Sequence, residues 1–169
     1  FDIEENRNHV TETLVALHND GNIDLIEQFK SLRNCRDSGV DFFLARDLLE
    51  KLLPRMKAPI QNVMECVAHL AIEAGQDLMA NSIFTPFVDF CVADPLRPEQ
   101  GLEIIKGSPA QFMDFIVSII VAGTRIAIAR YFYEAIALTT HVYIEIRKRA
   151  IFSLGRIQYT GQQELTKKA

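Results

Sequence analysis

The chain has 169 residues, 49% of them hydrophobic and 24% charged, with a formal net charge of −4. This apolar share and small charge exclude intrinsic disorder, and eight glycines and six prolines exclude a collagen-like or linker chain. Three cysteines, Cys35, Cys66 and Cys91, lie too far apart to define a disulfide framework or a zinc site, and they fit a reducing, cytoplasmic compartment.

Taken in chain order, the spacing of apolar residues is helical almost throughout, and no alternating strand is followed by a glycine-containing hairpin turn. The predicted class is all-α, a single helical domain over residues 1–169. The segment from Asp2 to Glu12 is acidic and polar, unlike a signal peptide, and Phe1 in place of an initiator methionine reads as an excised piece of a longer cytoplasmic chain. Helices are predicted from about Ile3 to Leu17 and from about Ile23 to Leu32, separated by the breaker Asn19-Asp20-Gly21-Asn22. Together they make an N-terminal helical hairpin or cap over residues 1–37. A third helix, about Asp41 to Leu53, presents Phe42, Leu48, Leu49, Leu52 and Leu53 until Pro54 weakens it.

Ala58-Pro59, Thr85-Pro86 and Ser108-Pro109 each read as a helix opening with proline just inside the start, Thr85 and Ser108 serving as N-caps. The helix from Pro59 to about Ala74 has a stripe of Ile60, Val63, Met64, Val67, Leu70, Ala71 and Ala74, with Glu65, His69 and Glu73 on its other side. Short helices follow, from about Pro86 to Ala93 and from about Pro98 to Lys106. The segment Pro109 to Ala122 is apolar nearly all round and must be covered on several sides. After Gly123, a helix over Arg125 to Leu138 is polar only at Arg130 and Glu134, four apart and able to pair. Charges at Asp114, Arg125, Arg130, Glu134 and Glu145 interrupt the apolar region from Phe112 to Ile146, which reads as buried protein instead of a membrane span. The last helix, about His141 to Ile157, has one apolar face of Val142, Tyr143, Ile146, Ala150, Leu154 and Ile157 and a second of Ile144 and Ile151. Two opposed apolar faces call for packing on two sides. Residues 158–169 form a polar tail.

Helix pairs over Asp41 to Ala74, Thr85 to Ala122 and Arg125 to Ile157 have the length of helical repeat units. The run Ile146-Arg147-Lys148-Arg149-Ala150-Ile151-Phe152-Ser153-Leu154-Gly155-Arg156-Ile157 resembles the second helix of a HEAT repeat: an aliphatic residue, then arginine, alanine three further on, then small-Leu-Gly and another aliphatic. Ala150 and Ser153 permit close helix approach, and Leu154 fills the layer between helices. The aspartates that usually precede this helix are absent here, His141 and Tyr143 standing nearby instead. The resemblance implies a short HEAT-like α-solenoid with its repeat-like core over residues 40–157; the alternative is a compact multi-helix bundle.

No glycine-rich phosphate loop, nucleophile elbow or HExxH zinc motif is present in the sequence, so no catalytic residue and no cofactor is assigned. Glu65, His69 and Glu73 share a helical face and have the side chains of a metal site, but a solvated polar face has the same pattern. Cys66 near His69 carries no nucleophile motif, and Cys91, among Phe87, Val88, Phe90 and Val92, reads as a core thiol. The aromatics Phe84, Phe87, Phe90, Phe112, Phe115, Tyr131, Phe132 and Tyr133 read as core at helical spacing. Charge is uneven: residues 1–100 carry 9 Lys+Arg against 17 Asp+Glu, and residues 101–169 carry 9 against 5. Arg147, Lys148, Arg149 and Arg156 are therefore the candidate residues for a protein partner or a nucleic acid. The expected function is a non-catalytic helical scaffold binding another protein or another domain of the same longer chain. A HEAT-like nucleic-acid-binding module and a helical-bundle metal- or ligand-binding protein are the alternatives.

Overall fold

The computed structural model describes residues 3–31, 39–74 and 82–157, and all regular structure among them is helical. The chain forms two compact units, Phe1–Ala93 and Asp94–Ala169. The charge asymmetry follows this division, with 8 Lys+Arg against 15 Asp+Glu in residues 1–93 and 10 against 7 in residues 94–169.

In the first unit α1 spans Ile3–Asn19, α2 Leu25–Lys30, α3 Gly39–Leu52, α4 Ile60–Ala74 and α5 Phe84–Val92. The breaker between α1 and α2 works through three side chains and a glycine. Gly21 takes a positive φ of 75°, open to glycine at little cost. Asp24 caps α2 by accepting from the Ile26 and Glu27 amides at 3.0 and 3.2 Å. The Leu25 amide donates to Nδ1 of His18 at 3.3 Å. Asn19 reaches across the chain: its side-chain amide donates to the Arg55 carbonyl at 3.2 Å and accepts from the Lys57 amide at 2.7 Å. Of the two N-terminal helices, α1 packs on α3 and α2 on α4. Pro54 ends α3 as expected, in a 3-10 turn over Leu53–Arg55 that packs against α5. Leu49, Leu52, Leu53, Val63, Met64, Val67, Phe87 and Phe90 are fully buried and make this core. Cys35, the side chain of Phe42 and the tail from residue 158 lie outside what the structure describes.

In the second unit α6 spans Arg97–Gly107, α7 Pro109–Phe112, α8 Ile116–Leu138 and α9 Ile144–Leu154, with a 3-10 turn at Met113–Phe115. Phe112, Phe115, Ile116, Ile119, Ile120, Tyr131, Phe132, Ala135, Ile146 and Ala150 form its core. The predicted break at Gly123 is found at Ala127, whose φ of −145° and ψ of 78° interrupt α8. Gly123 instead lies inside the first arm, where a β-carbon would fall within the ring of Tyr131. The glycine is there for close approach: it lets the second arm fold its aromatic ring onto the first. Each arm of 11 residues, Ile116–Ile126 and Ile128–Leu138, is about 16 Å long at 1.5 Å per residue.

Two expected N-caps are not used. The chain is already helical at Ile83 and Phe84, so Thr85 sits inside α5, and the Ser108 side chain makes no capping bond although its carbonyl accepts from the Gln111 and Phe112 amides. Arg130 pairs with Glu99 of α6 at 2.8 Å, where pairing with Glu134 was expected.

Candidate functional site

The four basic residues singled out by the sequence all lie on or just beyond α9, and the structure gives each a different task. Helix α9 begins at Ile144, three residues later than expected, because Val142 lies in an exposed bend and Tyr143, also exposed, has extended backbone. Arg147 reaches back to this approach, donating to the His141 and Val142 carbonyls at 2.8 and 3.1 Å. Arg149 ties α9 to the 3-10 turn through Asp114 and to its own helix through Glu145 at 3.2 Å. Lys148 pairs with Glu145 at 2.8 Å; this lies on the surface, and both partners keep much of their exposure. Arg156 lies over the Phe152 ring, its guanidinium carbon 4.9 Å from the centroid, and no carboxylate among the described residues pairs with it. Two of the four, Arg147 and Arg149, thus hold the fold together, and the two with charge facing water are Lys148 and Arg156. Pairing with Lys148, and next with Arg149, holds the Glu145 carboxyl below the usual 4.5.

The apolar pattern of α9 also divides. Ile146, Ala150 and Ser153 are buried, Ser153 Oγ donating to the Arg149 carbonyl at 2.7 Å, and Ile157 closes the same side. On the opposite side Ile144, Ile151 and Phe152 remain 56%, 61% and 54% exposed. At 100° per residue, Ile144, Lys148, Ile151 and Gly155 fall on one line along the helix, with Phe152 beside it. The expectation that Val142 and Tyr143 belong to the packed face is corrected: they are 80% and 51% exposed.

The acidic face expected on α4 is outward as well. Glu65 accepts from Lys30 at 3.3 Å and from Gln61 at 3.1 Å, which ties α4 to α2. Burial puts Ile60, Val63, Met64, Val67 and Leu70 underneath, leaving Gln61, Glu65, His69, Ile72 and Glu73 on the outer line, with Ile72 73% exposed. No group of three or more His, Cys, Asp or Glu side chains among the described residues is placed to hold a metal ion. Cys66 is buried, and that burial pushes its thiol up to about 12, far from the thiolate a nucleophile needs. Cys91 is buried in the α5 core. The aromatic residues fill the two cores, Phe87 against Phe90 and Phe112 edge-on to Phe115, and Tyr133 is half-exposed.

The exposed α9 line was legible in the sequence as a second apolar face; the exposed Ile72 was not, because nothing in the acidic pattern around it marks an outward isoleucine. Segment Pro109–Leu138 is long and apolar enough to cross a membrane by length and composition, but Ala127 divides it. No known family model, curated protein or solved structure matches this chain.

Proposed function

We propose that the chain is a non-catalytic α-helical repeat module, HEAT-like in stacking helix pairs, that docks another protein or another part of its own longer cytoplasmic chain. The observation that carries this reading is the outward line of α9, with Ile144, Ile151 and Phe152 more than half exposed directly opposite a buried face. In a stacked array each unit buries a face of its neighbour, so a helix apolar on two opposite sides is what such a unit presents to the element stacked beyond it. Scattered exposed apolar residues need no explanation, but Ile144, Ile151 and Phe152 gathered on one side of a single helix, around Lys148, support an interaction surface. The use of Arg147 and Arg149 inside the fold leaves, of these four residues, Lys148 and Arg156 to steer a partner, which favours a protein surface over a phosphate backbone.

The test places a photoreactive amino acid at position 151 and, as a control, at exposed Glu103 on α6. Adducts with one identified protein at 151, absent at 103 and insensitive to nuclease, are the expected result. Nuclease-sensitive adducts at 151 would move the assignment to nucleic acid, and equal labelling at both positions would remove the docking surface.

A further inference from the structure

We propose that His18, at the end of α1, is a proton-operated latch on the start of α2. Its Nδ1 lies 3.3 Å from the Leu25 amide nitrogen and 3.3 Å from the Ile23 carbonyl oxygen. An imidazole nitrogen either accepts through its lone pair or donates through its proton, so Nδ1 serves one of these neighbours at a time. With the proton on Nε2, Nδ1 accepts from Leu25, the first residue of α2, whose amide has no partner inside the helix. Asp24 takes the next two amides, of Ile26 and Glu27, so the neutral ring completes the cap. Buried amides go unpaired less often than buried carbonyls, which favours this tautomer over the one that serves Ile23.

A proton taken from water onto Nδ1 reverses the roles. The ring becomes a cation with both nitrogens protonated, Nδ1–H donates to the Ile23 carbonyl, and the Leu25 amide is released. Nε2 is buried and has no hydrogen-bond partner among the described residues, so it keeps its proton in both states and holds no competing bond. One bond replaces another on the same atom, and the ring does not have to move. The charged groups on the segments that meet here are Asp20, Asp24 and Glu27 around the start of α2, Glu50 and Lys51 at the end of α3, Arg55 and Lys57 on the loop clasped by Asn19, and Glu65 on α4. Acids and bases are mixed among them, and Asp24 acts on the two amides that follow Leu25, which makes those amides an internal control for the carboxylates.

Heteronuclear NMR of the whole chain between about pH 8 and pH 5 reads the ring and the amides together. At the upper end the ring nitrogens of His18 should report the proton on Nε2. As that ring takes up its second proton, the Leu25 amide resonance should shift with the same midpoint. Its protection against hydrogen exchange, corrected for the intrinsic rate at each pH, should fall roughly five- to tenfold, the weight of one net hydrogen bond. Ile26 and Glu27 should keep theirs. In His18→Gln the side-chain carbonyl accepts at every pH, so the Leu25 step should vanish with its protection retained. A neutral ring protonated on Nδ1 overturns the inference, as does a Leu25 amide unmoved through the His18 titration. So does a Leu25 step that follows His9 or His69, that is shared by Ile26 and Glu27, or that persists in His18→Gln. The wild-type titration decides the matter on its own should the variant fail to fold.

Discussion

Gly123 is the position where one atom decides most. Alanine in a helix is ordinarily favoured over glycine by about 1 kcal/mol. Here the added methyl would occupy the buried Tyr131 ring, so Gly123→Ala should lower stability by about 1–3 kcal/mol, read as a reduced denaturation midpoint at unchanged slope. Asn19 offers a second test, because its amide satisfies a carbonyl and an N–H of the loop after α3; Asn19→Ala should cost about 1–2 kcal/mol by the same measurement. Cys66, with its thiol pushed up to about 12 by burial, should resist iodoacetamide at pH 8 in the folded chain and react once the chain is unfolded, as site-resolved mass spectrometry would show. Rapid modification of the folded protein at that residue would contradict its place in the core.

Among the helices, proline and glycine punctuation placed most ends within two or three residues, because those residues act through their own backbone. What local pattern missed was set by tertiary packing. The break in α8 moved from Gly123 to Ala127 since the glycine is needed where two arms meet, and no residue near Ala127 announces a corner. The basic quartet was legible as composition, but its division of labour was not: the partner that occupies Arg149, Asp114, is 35 residues away in sequence. A pH signature belongs to α9 as well. The folded Glu145 carboxyl is held below its ordinary value, so its pairing with Lys148 and Arg149 stabilises the fold above about pH 4.5 and is lost as pH falls through the depressed value. The difference in melting temperature between wild type and Glu145→Gln should therefore close on acidification, and a gap that widens instead would contradict the pairing.

At the scale of the whole chain, the two compact units have separate cores and opposite charge, −7 over residues 1–93 and +3 over residues 94–169. Ile151→Asp should leave the unfolding midpoint within about 0.5 kcal/mol of wild type, because the side chain is already mostly in water, while Ile146→Asp on the buried side should abolish cooperative unfolding. The corner at Ala127 also decides what the most apolar segment can be. Segment Pro109–Leu138 is 30 residues with the length and hydropathy of a membrane span, whereas each arm of α8, about 16 Å long, is roughly half the thickness of a bilayer's hydrocarbon core. The corner and the seat that Gly123 gives the Tyr131 ring thus turn what composition alone would draw as one straight apolar rod into two short arms lining a core.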